Sequence, residues 1–78
     1  MKVTVLVRPK DGILDPQGEA IRHALDTLGY PIEQVRQGKV FDLEIDAETR
    51  EQAEAIAREA AERALANGVM ERFEVVVA

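Results

Sequence analysis

The sequence predicts a two-layer α+β fold in the order βαβαβ, and three observations predict it. Runs rich in β-branched residues and alternating in polarity lie near the start, middle and end of the chain. Two stretches with apolar residues at helical spacing separate them. Gly29 and the pair Asn67-Gly68 close those two stretches. Right-handed crossovers then place both helices on one face of an antiparallel or mixed three-stranded sheet.

Lys2 to Arg8 is the first strand, with Val3, Val5 and Val7 on one face and Thr4, Leu6 and Arg8 on the other. Pro9 lacks the N–H that sheet pairing needs, so it ends that strand or sits at an edge. The loop that follows leads into Leu14-Asp15-Pro16-Gln17-Gly18, a helix entry: Asp15 caps free backbone N–H groups, and Pro16 suits the first helical position. Ala20, Ile21, Ala24, Leu25 and Leu28 form one face of the first helix, and Gly29 stops it.

Ile32 to Ile45 has strand content, with Val35, Phe41, Leu43 and Ile45 on one parity. Gly38 in its middle is either a hairpin position or a bulge in one long strand. Parity continues across Gly38, which favours a second strand that is long and bent there. Asp46 or Thr49 caps the second helix, and Thr49 with Gln52 has capping-box spacing. That helix runs to about Ala66 with an inward stripe of Ala53, Ile56, Ala57, Ala60, Ala64 and Leu65. Glu54 with Arg58 and Glu59 with Arg63 are favourable i,i+4 pairs, worth roughly 0.2 to 0.5 kcal/mol each. Val69 to Val77 is the last strand, with Phe73, Val75 and Val77 facing inward. The opposite sheet face carries Leu6, Val40 and Val76 among Thr4, Arg8, Asp42, Arg72 and Glu74. It is either an association surface or ordinary scattered apolar surface.

A chain of 78 residues is read as one domain, 1–78, close to the size at which a lone core is marginal, so a partner chain is expected. The net charge of −5 disfavours nucleic acid and anionic membranes as partners. No apolar run approaches the ~20 residues of a membrane span, no leader precedes the first strand, and there is no cysteine. These readings point to a soluble, cytoplasmic protein.

Catalytic groups are scarce. One His, no Cys, no Ser and three Thr leave no nucleophile, base and acid set. His23 reads as a solvated residue of the first helix, and the many glutamates of the second helix as solvated charge. Asp11 and Asp15 flank a glycine loop, but their spacing does not make a metal site. Lys10, Gly12 and the helix start could hold an anion, yet Pro16 removes a donor and Asp15 adds negative charge, so a structural turn is the better reading.

Lys10 to Gly18, with its Leu14-Asp15-Pro16-Gln17-Gly18, then Val35-Arg36-Gln37-Gly38-Lys39, and Leu65-Ala66-Asn67 together resemble the PurS family over essentially the whole chain. These are small subunits of phosphoribosylformylglycinamidine synthase, of a fold related to the ferredoxin-like type. The resemblance implies the fourth step of de novo purine (IMP) biosynthesis, a glutamine-dependent, ATP-consuming C–N ligase reaction. A glutaminase subunit and a large synthetase subunit using ATP and Mg²⁺ would do the chemistry. This chain would bridge them for ammonia transfer, as a homodimer or tetramer, with no cofactor and no catalytic residue of its own. Lys10, Asp11, Gly12, Arg36, Gln37 and Lys39 become candidates for contact with partner chains. The alternative is a free-standing small-ligand regulatory domain of ferredoxin-like type, with an anion at the first loop.

Overall fold

A computed structural model describes all of residues 1–78. The elements are β1 (Lys2–Pro9), α1 (Pro16–Thr27), β2 (Lys39–Glu44), α2 (Arg50–Ala60), continued by a π-helical turn over Ala61–Leu65, and β3 (Glu71–Val77). The α+β class and the βαβαβ order are those the sequence predicts. The sheet order is β2-β1-β3, and both pairings are antiparallel.

The valine alternation of β1 decides where the core lies. As the central strand, β1 has Val3, Val5 and Val7 almost wholly excluded from solvent against Ala53, Ala57 and Ala61 of the second helical segment. Fully burying each valine stabilises the fold by roughly 1.5 to 3 kcal/mol. Phe41, Leu43 and Ile45 from β2 and its end, with Phe73, Val75 and Val77 from β3, pack around this centre. The small alanine side chains let α2 lie close on the sheet. The buried stripe is Ala53, Ala57 and Ala61, so Ile56 and Ala64, expected inside, are exposed. An i,i+4 row of three lies along one line of the helix, and Ile56 falls beside it.

Two expectations require correction. Ile32 to Gly38 is not strand: β2 begins at Lys39, so Gly38 is neither a hairpin turn nor a bend within one long strand. Val7 pairs with Lys39, and above that level β1 is ending at Pro9. The backbone N–H of Gln37 and the guanidinium of Arg36 bind the first loop, in place of a continued ladder.

The second correction concerns α1, which does not join α2 in covering the sheet. No α1 side chain belongs to the core cluster, and Ala20, Ile21, Ala24 and Leu28 are exposed. Topology gives the reason. β2 and β3 flank β1 and run parallel to each other, so the connection through α2 has to cross the sheet. β1 and β2 are antiparallel neighbours, so the connection through α1 leaves and returns at the same end of the sheet. Nothing compels α1 to lie across it. The molecule is accordingly drawn out to 50 × 24 × 14 Å with a radius of gyration of 15.6 Å, against about 11.5 Å for a compact chain of this length.

Candidate docking surface and the joint beneath it

The loop between β1 and α1 opens with a turn closed by Ile13 N–H donating to the Lys10 carbonyl at 3.2 Å. Gly12 sits in it at φ +82°, a conformation that favours glycine. Asp15 then caps α1 as its spacing predicts: Oδ1 accepts from the Gly18 N–H at 2.9 Å, with Pro16 in the first turn. Its other oxygen, Oδ2, accepts from the N–H of Gln37 at 2.7 Å, across a sequence gap of 22 residues. The Gly18 donor, then the Gln37 donor, with Arg36 as a further positive charge, hold the Asp15 carboxyl below the usual carboxylate value.

Arg36 completes the joint. Its guanidinium donates to the Ile13 carbonyl at 2.8 Å and to the Lys10 carbonyl at 2.7 Å, so one planar fork spans the turn. Gly18 is the one buried residue of α1, because the returning chain crosses it: a Cβ there would run into the Val35 carbonyl oxygen. Gly38 likewise lies against the Val7 carbonyl.

The six residues singled out in the sequence fall together at this end of the molecule, but they divide in use. Lys10 donates from Nζ to the Gly68 carbonyl at 2.7 Å, Arg36 binds the turn, and Lys39 pairs with Glu71 at 3.7 Å. Asp11, Gly12 and Gln37 are exposed at the rim. Beside them lies a shallow concavity of about 380 Å³ lined in part by Pro9, Ile13, Leu14 and Met70. Leu14 and Val69 are each about four-fifths exposed (82 % and 79 %). Sequence reasoning missed this apolar rim, because Leu14 reads as part of a helix entry and Val69 and Met70 as the start of a strand. Both precede Glu71, where β3 begins.

The second surface is the uncovered face of α1, with Ile21 and Leu28 exposed, adjoined in sequence by Tyr30 and Ile32. The third is the open sheet face, where Leu6 pairs with Val40 and Glu74, and Thr4 pairs with Asp42 and Val76. Thr4 Oγ1 donates to Asp42 at 3.0 Å, and Arg8 bridges to Glu74 at 3.4 Å, so polar groups on that face are partly matched within the chain. His23 is exposed on α1, and its carbonyl accepts from the Thr27 hydroxyl at 3.1 Å. These surfaces offer polar rims around apolar patches.

The family model described as phosphoribosylformylglycinamidine (FGAM) synthase, PurS, matches residues 2–78. The chain belongs to the PurS family. It is 39% identical over 77 residues to the PurS subunit of phosphoribosylformylglycinamidine synthase from Archaeoglobus fulgidus, covering 97% of this chain and 96% of that one. Among solved structures it is similar to PurS of Methanocaldococcus jannaschii, with a TM-score of 0.86, 33% identity, and 99% and 94% of the two chains covered. That protein is described as one of the subunits of formylglycinamide ribonucleotide amidotransferase in the purine biosynthetic pathway. A chain in the structure of PurLQS from Thermotoga maritima is also similar, with a TM-score of 0.88, 37% identity, and coverage of 96% and 93%. PurS is thus a subunit of FGAM synthase in purine biosynthesis, and the fold described above is the PurS fold.

Proposed function

We propose that this chain is a non-catalytic assembly subunit of FGAM synthase that holds a glutaminase subunit against an ATP-dependent synthetase subunit so that ammonia passes between them. The observation that carries the reading is the likeness to a chain of the PurLQS structure over nearly its full length. Physical features support it. Only 7 of 78 residues are buried, so much of the chain's apolar surface is left for neighbours. The elongated body separates a docking end at the first loop from the ends of β2 and β3 near Ile45 and Ala78.

In this reading the chain carries no cofactor, and ATP and Mg²⁺ belong to the synthetase subunit. It self-associates as a dimer or tetramer through its uncovered apolar faces and works in the cytoplasm. Asp11, Gly12 and Gln37 contact partner chains directly as a polar rim around Leu14 and Met70.

Co-purification with the two large subunits, with glutamine and nucleotide present, tests the assembly. A stable three-component complex is expected, and failure of this chain to enter it contradicts the proposal. Calorimetry of the isolated chain with nucleotides and amino acids provides the counter-test. Saturable binding there would favour a small-ligand regulatory domain using the concavity beside Leu14.

A further inference from the structure

The polar ties between the first loop and the returning segment 35–38 do a job that the hydrophobic core does for α2. The α2 helix is located by Ala53, Ala57 and Ala61 on the valines of β1, whereas α1 contributes nothing to that core. What fixes the direction of α1 is a compact set of links at its N-terminal end. Asp15 accepts from both Gly18 and Gln37, Arg36 donates to two carbonyls of the turn, and Gly18 is crossed at close range by the Val35 backbone. The turn is tied in turn to the head of β3, through Lys10 N–H donating to the Met70 carbonyl at 2.9 Å and its ammonium to Gly68.

We propose that Asp15, Gly18 and Arg36 form a rigid joint that sets the direction in which α1 leaves the sheet. Assembly with the other subunits then depends on that direction, and Arg36 acts as a positioning residue without touching a partner. This rests on the assembly role proposed above and changes what one of its six sequence candidates does. Two of the guanidinium's five donors are held by carbonyls of the turn at 2.7 and 2.8 Å, and this fork-like grip fixes its plane on its own chain. A 12-residue helix projecting from a joint at one end also magnifies any change of angle there.

The chain has no cysteine, so paired labels can be placed at will. With Asp26→Cys and Glu48→Cys carrying spin labels, diluted into excess unlabelled chain, the distance between α1 and the start of α2 is read within one chain. The parent should give one narrow distribution. Arg36→Ala should broaden it and lower the affinity for the large subunits at least tenfold, while the far-UV spectrum and the melting of the sheet and α2 persist.

Arg36→Lys separates positioning from contact, because a lysine keeps the charge but loses the rigid planar fork that grips two carbonyls at once. It should behave like Arg36→Ala; restoration of assembly by lysine would overturn the proposal in favour of a direct ion pair. Gly18→Ala provides a second route, since it perturbs the joint from a buried position that no partner reaches. A displaced distance with weakened assembly is expected. An unchanged distance distribution in Arg36→Ala would show that the joint does not hold α1. A broadened one with full assembly would show that α1's direction is immaterial. If the parent chain itself fails to assemble, the assembly role falls, and the distance measurement still decides whether the joint exists.

Discussion

Both oxygens of Asp15 serve backbone donors, so its protonation removes acceptor capacity from the cap of α1 and from the link to Gln37 together. Its folded-state carboxyl titrates below the ordinary value. The stabilisation it provides is therefore complete above the unfolded-state value of about 3.9 and is lost as pH falls through the lower folded-state value. NMR titration should show the Gly18 and Gln37 amide protons shifting together with a midpoint below about pH 3.9. Asp15→Asn should abolish that shared transition, and separate midpoints for the two amides would contradict the shared carboxylate. The half of this arrangement that is local was legible in the sequence, since an aspartate three residues before a helical N–H reads as a cap. The link to Gln37 was not, because no periodicity relates residues 22 positions apart. The charge of Arg36 and its place in a family motif mark it in the sequence, and the structure gives that charge two carbonyls of its own chain.

At the scale of elements, the strand alternation and the caps carried most of the fold. Period two alone places Val3, Val5 and Val7 on one face, and they are the three largest fully buried side chains. Val5→Ala should cost about 2 to 3 kcal/mol in denaturant unfolding, since it opens a cavity at the centre of a small core. Ala57→Leu should cost about 1 to 3 kcal/mol by forcing α2 off the sheet. Ile56→Ala should change stability by less than about 0.5 kcal/mol despite removing a larger apolar side chain, because that position faces solvent. A large loss at Ile56 with none at Ala57 would mean that the helix is rotated from the position described. Of the two caps the sequence offers for α2, Asp46 and Thr49, the structure uses Thr49: its hydroxyl accepts from Gln52 N–H at 3.2 Å. The reciprocal arm falls one residue earlier than the simple box, with Gln52 Oε1 accepting from Glu48 N–H at 3.0 Å. At 32–38 and at α1, topology overrides local propensity. Strand-like residues found a loop to bind in place of a ladder, and an amphipathic helix was not required to cross the sheet.

For the molecule as a whole, the uncovered face of α1 and the open sheet face are where burial is still to be gained. Replacing Ile21 and Leu28 together by serine should leave chemical unfolding of the monomer within about 0.5 kcal/mol of the parent, as both are exposed. Sedimentation at rising concentration should then show weaker self-association than the parent. Equal association would move the self-contact to the sheet. In the assembly role proposed for this PurS chain, these surfaces meet neighbouring chains. The most direct test is turnover by the two large subunits with and without this chain. Glutamine-dependent formation of the amidine should fall steeply when it is omitted, while turnover supplied with free ammonia should be much less affected. Equal glutamine-dependent turnover in its absence, or an equal loss with ammonia, would contradict a role in passing ammonia between active sites.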